Sequence, residues 1–329
     1  MSSVLSASLL LGLILGISAH RAGLCTVKAV AEVLTTRRGW FLWSFAKTSL
    51  WTMALLSFAG ALGIAPTLGQ WPLNGPALIG GVLFGLGAGA NGACSFSTLA
   101  RLAEGHLVML FTLIGWPIGM AAIHLAIPDL QYAPLAARHL SGWLLLPLAP
   151  WVLWEVTRIF KRFGDEGMAM LQSAHWPLSF SVAVIAVANV GLLLLTGPWS
   201  FTSALICTTH AVPLASCENP SSVFAISAAA AIGIAVSAML RGSFRIRRIR
   251  LAAALRHGSA GVAMGAGSVL IPGGNDGLIL FGMPALSPHA LPAWLGICLG
   301  SGVALVILRA FGRPLMAIRC NNDICRATL

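Results

Sequence analysis

The sequence predicts an all-α polytopic membrane protein, and three observations lead to this fold class. Hydrophobic residues make up 57% of the 329 residues and charged residues only 9%, while the mean hydropathy is +0.87. Apolar stretches recur along the whole chain, and the basic residues fall between alternate pairs of them. Soluble domains have about a quarter charged residues, so this composition excludes an ordinary soluble enzyme.

Nine of the apolar stretches are interpreted as membrane crossings. A helix needs about 20 predominantly apolar residues to cross a bilayer, and the range is about 17 to 25. The ends of such stretches are uncertain by a few residues. The predicted crossings are roughly 3–19, 41–65, 77–93, 106–127, 143–157, 175–196, 221–240, 258–272 and 290–311.

The distribution of basic residues predicts the orientation. With nine crossings, 19 of the 20 Lys and Arg residues fall on one side, and only Arg138 falls on the other. Cytoplasmic loops carry the excess of basic residues, so we expect an inner-membrane protein with its N-terminus outside and its C-terminus in the cytoplasm. The net charge of +11 is then explained by a cytoplasmic face near anionic lipid, and no nucleic-acid partner is expected.

An internal repeat of opposite topology predicts two inverted halves. Gly81, Gly85 and Gly87 recur 180 residues later as a second glycine triplet with the same spacing. The two triplets lie in the third and eighth predicted crossings, which run in opposite directions, and the fifth crossing is the connector. Inverted halves are a common plan of transporters, which hold their substrate near the midplane. The expected divisions are 1–135 for the first half, 136–174 for the connector, 175–312 for the second half, and 313–329 for a cytoplasmic tail.

Four further apolar segments are too short or too interrupted to cross, and they are predicted to be re-entrant helices. Irregular backbone at membrane depth is tolerated only inside protein or beside a cavity. The free N–H groups and positive dipole ends of such helices would then lie near the membrane centre, where they suit an anion. The four segments are about 22–36, 94–103, 199–212 and 275–286.

Two of the seven cysteines begin predicted re-entrant helices. Cys25 and Cys94 each follow a glycine-rich approach, and a thiol at a helix N-terminus suits a soft, sulfur-bearing anion. The repeat offset carries Cys94 to Gly274, beside Asn275, where there is no thiol, and it carries Cys25 to a position two residues from Cys207. The spacing of the tail cysteines, CxxxxC, matches no zinc or redox motif, and we expect no disulfide there in a reducing compartment.

At these residues the chain resembles the YeeE/YedE family of membrane proteins, which take up thiosulfate and related sulfur compounds. The resemblance covers most of the chain. It is carried by GLCTVKAV at Gly23–Val30, GGVLFGLGAGANGACSFSTLARLAEG at Gly80–Gly105, GPWSFTSAL at Gly197–Leu205, and the glycine approach at Gly261–Asp276. The resemblance implies an hourglass of inverted repeats whose waist is lined by cysteines. Thiosulfate would pass along Cys25 and Cys94 through transient S–H···S hydrogen bonds.

The chain departs from the family pattern at the second-half entrance. Family members commonly have a Gly-Gly-Cys motif there, whereas this chain has Gly273-Gly274-Asn275. Cys298, in the last crossing, is a candidate for the missing sulfur contact. The substrate-binding residues expected from the sequence are Cys25, Cys94, Asn91, Cys207, Gly273, Gly274, Asn275 and Cys298.

The function that the sequence favours is uptake of thiosulfate or a related sulfur-containing anion through a cysteine-lined constriction, without an enzymatic reaction. Two alternatives are a membrane sulfurtransferase or redox subunit carrying persulfide on Cys25 or Cys94, and a generic small-anion permease. No nucleotide-binding loop or metal motif occurs in the sequence, so no cofactor is expected. The expected partners are a small sulfur-containing anion, the lipid bilayer and a cytoplasmic sulfur-acceptor protein.

Overall fold

The computed structural model describes residues 3–127, 133–209, 212, 214–321 and 323–328. Among these residues, helices dominate and the strands form two short antiparallel pairs, β1 with β2 and β3 with β4. The α-helices are α1 Ser3–Ala22, α2 Thr26–Thr36, α3 Trp40–Ala61, α4 Gly75–Asn91, α5 Ser95–Ala103, α6 Met109–Ala126, α7 Leu145–Glu166, α8 Met168–Gln172, α9 Leu178–Thr196, α10 Phe201–Thr209, α11 Pro220–Leu240, α12 Leu251–Leu270, α13 Gly274–Gly277 and α14 Ala290–Ala310. The strands are β1 Leu68–Gln70, β2 Leu135–Arg138, β3 Ala317–Asn321 and β4 Ile324–Thr328.

The long helices confirm the predicted class of an all-α polytopic membrane protein. Seven helical segments of the described chain are long and apolar enough to cross a membrane. Helices α3 and α12 are 22 and 20 residues long and coincide with two predicted crossings, but they are not among the seven. Helix α12 packs between α4 and α6, so neighbouring protein shields much of it from lipid. The number of crossings remains a prediction.

Glycines bring the backbones of the long helices into direct contact. A Cβ atom built on Gly81 or Gly85 of α4 would lie 2.4 or 2.3 Å from a backbone oxygen of α14. The same holds for Gly261 and Gly265 of α12, where a Cβ would lie 2.3 or 1.9 Å from a backbone oxygen of α6. Small residues permit this close approach, which is how helices associate in membranes without a hydrophobic driving force.

The same glycine pattern supports the division into two halves, which we retain as a proposal. Helix α4 meets α12 through Gly87, whose added Cβ would lie 2.6 Å from the oxygen of Ala260. It meets α12 again through Gly267, whose added Cβ would lie 2.6 Å from the oxygen of Gly80. The offset of 180 residues exchanges these two contacts with each other. The contact of α4 with α14 corresponds in the same way to that of α12 with α6.

A buried ion pair joins α3 to α7, the helix predicted as the connector. Lys47 Nζ lies 2.9 Å from Glu155 Oε1, and the two side chains are 4% and 0% exposed. Lys47 also donates to the hydroxyl of Ser179 at 2.7 Å. Arg158, one turn after Glu155, lies 3.6 Å from the same carboxylate oxygen. A buried carboxylate needs such partners because its desolvation is costly.

The tail folds back as an antiparallel hairpin of β3 and β4, and the prediction of no disulfide there is wrong. The hairpin register places Cys320 directly opposite Cys325, and the two are bonded with a Cα–Cα distance of 4.0 Å. The spacing alone does not reveal this, because only the hairpin brings the two residues together. Asp323 accepts the N–H of Ser179 through its carboxylate at 2.7 Å, so the turn of the hairpin is bound to the start of α9.

Candidate functional site

Four short helices begin close to one another in the interior of the molecule. They are α2, α5, α10 and α13, and they overlap the four segments predicted to be re-entrant. In the fourth segment α13 is only four residues long, and a π-helix, Leu278–Gly282, follows it. The hydroxyl of Thr26 donates to Asn275 Oδ1 at 3.0 Å, which joins the start of α2 to that of α13. The backbone N–H of Thr202, in α10, donates to Asp276 Oδ2 at 3.1 Å. The hydroxyl of Ser95, in α5, donates to the other carboxylate oxygen at 3.5 Å.

Glycines with left-handed backbone allow the chain to turn into these helices. Gly23 and Gly92 have φ angles of 63° and 72°, and they end α1 and α4 just before the two cysteine-led helices. Gly273 and Gly274, predicted to bind substrate, have φ angles of 116° and 63° and turn the chain into α13. A Cβ on Gly274 would also lie 2.5 Å from the side chain of Thr202. Both conformation and space therefore require glycine here.

Cys25 and Cys94 are the N-cap residues of α2 and α5, and their thiols are within hydrogen-bonding distance of each other. Both residues are buried, with 0% and 2% of their surface exposed. The side chain of Ser97 lies beside the Cys25 thiol, and its hydroxyl donates to the carbonyl oxygen of Leu24 at 3.1 Å. The backbone N–H groups of Thr26 and Ser97 face the thiol of Cys94. The two thiols thus lie among the free N–H groups of two helix N-termini. That they line the path of a substrate remains a prediction.

Three cavities surround these helix starts. The serine cavity, of about 150 Å³, is lined by Ser200, Ser203, and Gly273 and Gly277 at the two ends of α13. The waist cavity is the smallest, at about 40 Å³, and Cys94, Asn275 and Asp276 line it. Since roughly 10–15 Å³ of such volume holds one water, the waist cavity has room for a few waters or one small anion.

The third space, the basic cavity, has a volume of about 390 Å³. Lys28, Arg101, Arg241 and Arg247 line it, and Glu104 is the acidic residue among its lining side chains. Glu104 is also paired, since its carboxylate lies 3.3 Å from the imidazole of a buried histidine of α1. The cavity therefore presents net positive charge, which raises the local concentration of anions.

The waist and basic cavities adjoin, because Ala19, Leu24 and Phe96 line both. The ring of Phe96 packs edge-on against Phe201, with 5.0 Å between the ring centroids. Phe96 therefore lies where the waist and basic cavities meet. Neither the role of Phe96 nor the cation lining was predicted from the sequence, because residues far apart along the chain build them.

The geometry corrects the predicted role of Asn91. Its amide nitrogen donates to the oxygen of Ala93 at 3.0 Å and to the hydroxyl of Thr98 at 2.9 Å. Its amide oxygen accepts from Thr112 and from His257, each at 2.7 Å. Because every donor and both acceptor positions are used, Asn91 holds the approach to α5 in place rather than offering groups to a substrate.

The structure also changes the picture for two predicted thiols. Cys207 is bonded to Cys217, so the prediction that it offers a thiol to substrate is wrong. The short spacing of ten residues across the loop after α10 allows this bond, and the sequence pattern did not indicate it. Cys298 is a free, half-buried cysteine of α14, and it lines none of the serine, waist and basic cavities.

Comparison with known proteins identifies the family. The chain is 25% identical over 326 residues to the thiosulfate transporter TsuA of Spirochaeta thermophila, and the match covers 87% of this chain and 93% of that protein. A family model described as sulphur transport matches residues 21–303, which include all four short helices and both buried cysteines. The chain therefore belongs to the sulphur transport family, as its resemblance to YeeE/YedE proteins indicated.

Proposed function

We propose that this protein carries thiosulfate, or a closely related small sulfur-containing anion, across the membrane through the waist cavity. The observation that carries the proposal is the contact of two buried thiols at the N-termini of α2 and α5. Membership of the sulphur transport family and the similarity to a protein named a thiosulfate transporter support it. Polarizable S–H groups are weak hydrogen-bond donors, which suits a substrate that must bind and leave again.

The proposed path runs from the serine cavity, through the waist, to the basic cavity. Hydroxyl groups of Ser200 and Ser203 meet the anion first. At the waist it contacts the thiol of Cys94, which pairs with that of Cys25, and the N–H groups of the short helices. These groups replace part of its water shell. Beyond Phe96 it enters the basic cavity, where Lys28 and its neighbours draw it onward.

The direction of this path follows from the proposed topology. Basic residues line the large cavity, and basic residues mark the cytoplasmic side of membrane proteins. We therefore place the basic cavity at the cytoplasmic face of an inner membrane, with the N-terminus outside and the C-terminus inside. The halves 1–135 and 175–312, joined by 136–174 and followed by the tail 313–329, complete the proposed arrangement. A cytoplasmic sulfur-acceptor protein would dock at this face.

The burial of the two thiols favours a transporter over a membrane sulfurtransferase. A persulfide on Cys25 or Cys94 would have to be attacked by a thiol of an acceptor. With 0% and 2% of their surface exposed, the two cysteines offer no access to a folded acceptor protein. A generic small-anion permease, the other alternative, would not depend on sulfur atoms at the waist.

Counterflow in liposomes tests the proposal. Liposomes loaded with unlabelled thiosulfate and containing the purified protein should accumulate radiolabelled thiosulfate from outside. We expect an excess of unlabelled sulfate, phosphate or chloride to compete poorly. Equal competition by these anions, or equal counterflow by protein-free liposomes, would overturn the proposal. Intact-mass measurement after transport should show no added sulfur on either cysteine, whereas a persistent adduct would favour the sulfurtransferase.

A further inference from the structure

A buried carboxylate lies at the waist of the proposed anion path. Asp276 is 1% exposed and lines the waist cavity together with Cys94 and Asn275. Within the described part of the chain, no ion pair includes Asp276. Ionisable residues at membrane depth are costly to keep, and they commonly mark ion or proton pathways.

Asp276 occupies the position that an anion would take at the start of α10. The N–H of Thr202 donates to one carboxylate oxygen at 3.1 Å, and the Thr202 hydroxyl donates to the other. The hydroxyl of Ser95 adds a third donor from α5. Burial disfavours the charged form of this carboxylate, whereas donors at a helix N-terminus favour that form. These donors therefore already hold a carboxylate of the protein itself, at a place where a substrate anion would otherwise bind.

A substrate anion in the same cavity would meet this negative charge at close range. Two like charges in one small site disfavour each other, and one of them is relieved by taking up a proton. Neutral Asp276 would still accept hydrogen bonds from Thr202 and would gain an O–H donor. Protonation thus turns the waist from a site that repels an anion into one that binds it.

Among the described residues, the surrounding elements hold no other group in position to accept this proton. Helices α4, α5, α10 and α12 pack against α13, and α2 is joined to it by the hydrogen bond from Thr26 to Asn275. On α2, Lys28 lines the basic cavity, and the carboxylate of Glu32 accepts the N–H groups of Trp40 and Phe41 at the start of α3. Of their titratable groups, Cys94 lines the same cavity and Cys207 is disulfide-bonded. Arg101 lines the basic cavity, and Arg256 and His257 lie together at the start of α12, where they hydrogen-bond to each other. Among the described residues of these elements, Asp276 is the carboxylate that lines the waist cavity.

We propose that Asp276 couples anion uptake to protons, one proton entering with each anion. The inference rests on the proposed transport of a sulfur-containing anion. A proton from the water of the serine cavity binds a carboxylate oxygen of Asp276 as the anion reaches the waist. When the anion passes Phe96 into the basic cavity, Asp276 releases the proton to that side and again accepts from Thr202. No covalent bond of the anion changes in this cycle.

Two measurements on the same proteoliposomes test the coupling. Radiolabelled thiosulfate reports the anion, and a pH-sensitive dye trapped inside reports protons, with the membrane potential held at zero. We expect thiosulfate added outside to acidify the interior, and an acidic exterior to drive accumulation. With one proton per anion, a tenfold proton gradient sustains up to about tenfold accumulation.

The variant Asp276→Asn removes the titratable proton and keeps the size and an acceptor oxygen. We expect it to lose acidification and gradient-driven accumulation, so that any remaining counterflow at equal pH no longer varies with pH. Asp165→Asn is the matched control, because Asp165 is an exposed carboxylate of α7 and its variant should remain coupled. Asp276→Glu, a second carboxylate variant, should retain acidification with a shifted pH dependence.

The outcomes separate the two proposals. Absence of counterflow in the unchanged protein would overturn thiosulfate transport itself. Counterflow without acidification of the interior would leave transport standing and overturn proton coupling. Coupling that survives in Asp276→Asn would show that another group binds the proton. If Asp276→Asn fails to fold, the proton flux of the unchanged protein and the pH profile of Asp276→Glu decide the matter.

Discussion

Replacing Cys94 with alanine is the sharpest test of the thiol pair. The change removes one S–H donor from the wall of the waist cavity. Alanine can adopt the extended backbone of Cys94, with φ −80° and ψ −171°, so α5 should still begin at the same residue. Cys25, its hydrogen-bonding neighbour, remains. We therefore expect a folded protein with a defect confined to passage of the anion.

The expected size of the defect follows from the strength of one hydrogen bond to the anion. A hydrogen bond to a charged group contributes about 1.5–3 kcal/mol, and about 1.4 kcal/mol corresponds to a factor of ten. Without the bond from Cys94 to the passing anion, the apparent kcat/KM for thiosulfate should fall by about 10- to 150-fold. Initial rates of counterflow at several thiosulfate concentrations measure this parameter.

Two further variants show whether a slower transport by Cys94→Ala is due to the lost sulfur atom. Cys298→Ala is the matched control, since Cys298 lies outside the three cavities and should transport within about twofold of the unchanged protein. Cys94→Ser keeps a donor but lacks the sulfur, so a rate near that of alanine assigns the effect to sulfur. Unimpaired transport by Cys94→Ala would refute the proposed contact of anion and thiol.

Three predictions concern stability, measured as thermal unfolding in detergent. Gly265→Ala places a Cβ 1.9 Å from a backbone oxygen of α6 and should destabilise by about 1–3 kcal/mol, whereas Gly164→Ala, with nothing within 4 Å, should not. Lys47→Met leaves buried Glu155 with only the more distant cation Arg158 and should lower the free energy of unfolding by about 3 kcal/mol. The double variant Lys47→Met, Glu155→Leu should regain most of that stability, because it buries no unpaired carboxylate. Burial, and then a neighbouring guanidinium, lower the pKa of His175 to about 4. Unfolding therefore takes up a proton between about pH 6.5 and pH 4, stability falls with acidification there, and His175→Gln should flatten that fall.

Each of these has an outcome that would contradict it. Equal stability of the two glycine variants would show that α12 and α6 separate easily. A double variant of the ion pair that is no more stable than Lys47→Met would mean that the carboxylate is not the source of the cost. An unchanged acid profile in His175→Gln would assign the pH dependence to other groups.

The sequence predicted the features that depend on a regular spacing of residues along the chain, or on which side of the membrane a loop lies. Basic residues sorted by loop predicted a polytopic fold, and glycines at a fixed offset predicted two related halves, whose helices touch backbone to backbone at those glycines. The short helices were found because Gly and Pro interrupt apolar stretches that are too short to cross. Cys25 and Cys94 stood out because each follows such an interruption.

What the sequence did not reveal depends on contacts between distant residues. Nothing in the sequence indicated that Asp276 binds Thr202 of α10, 74 residues away. Asn91 was expected to bind substrate, but its side-chain amide already makes four hydrogen bonds, with Ala93, Thr98, Thr112 and His257. The bond between Cys320 and Cys325 required a hairpin register that no local pattern specifies.

The close glycine contacts have a consequence for how a transport cycle could proceed. Helices that touch through backbone atoms cannot slide or tilt by even about an ångström without overlap, because interiors are already close-packed. The frame of α4, α6, α12 and α14 would therefore stay fixed while the substrate passes. Movement would be confined to the side chains at the waist, such as Phe96, and to the short helices. Such a protein would keep one shape throughout turnover, and a crosslink between α4 and α14 would leave its transport rate unchanged.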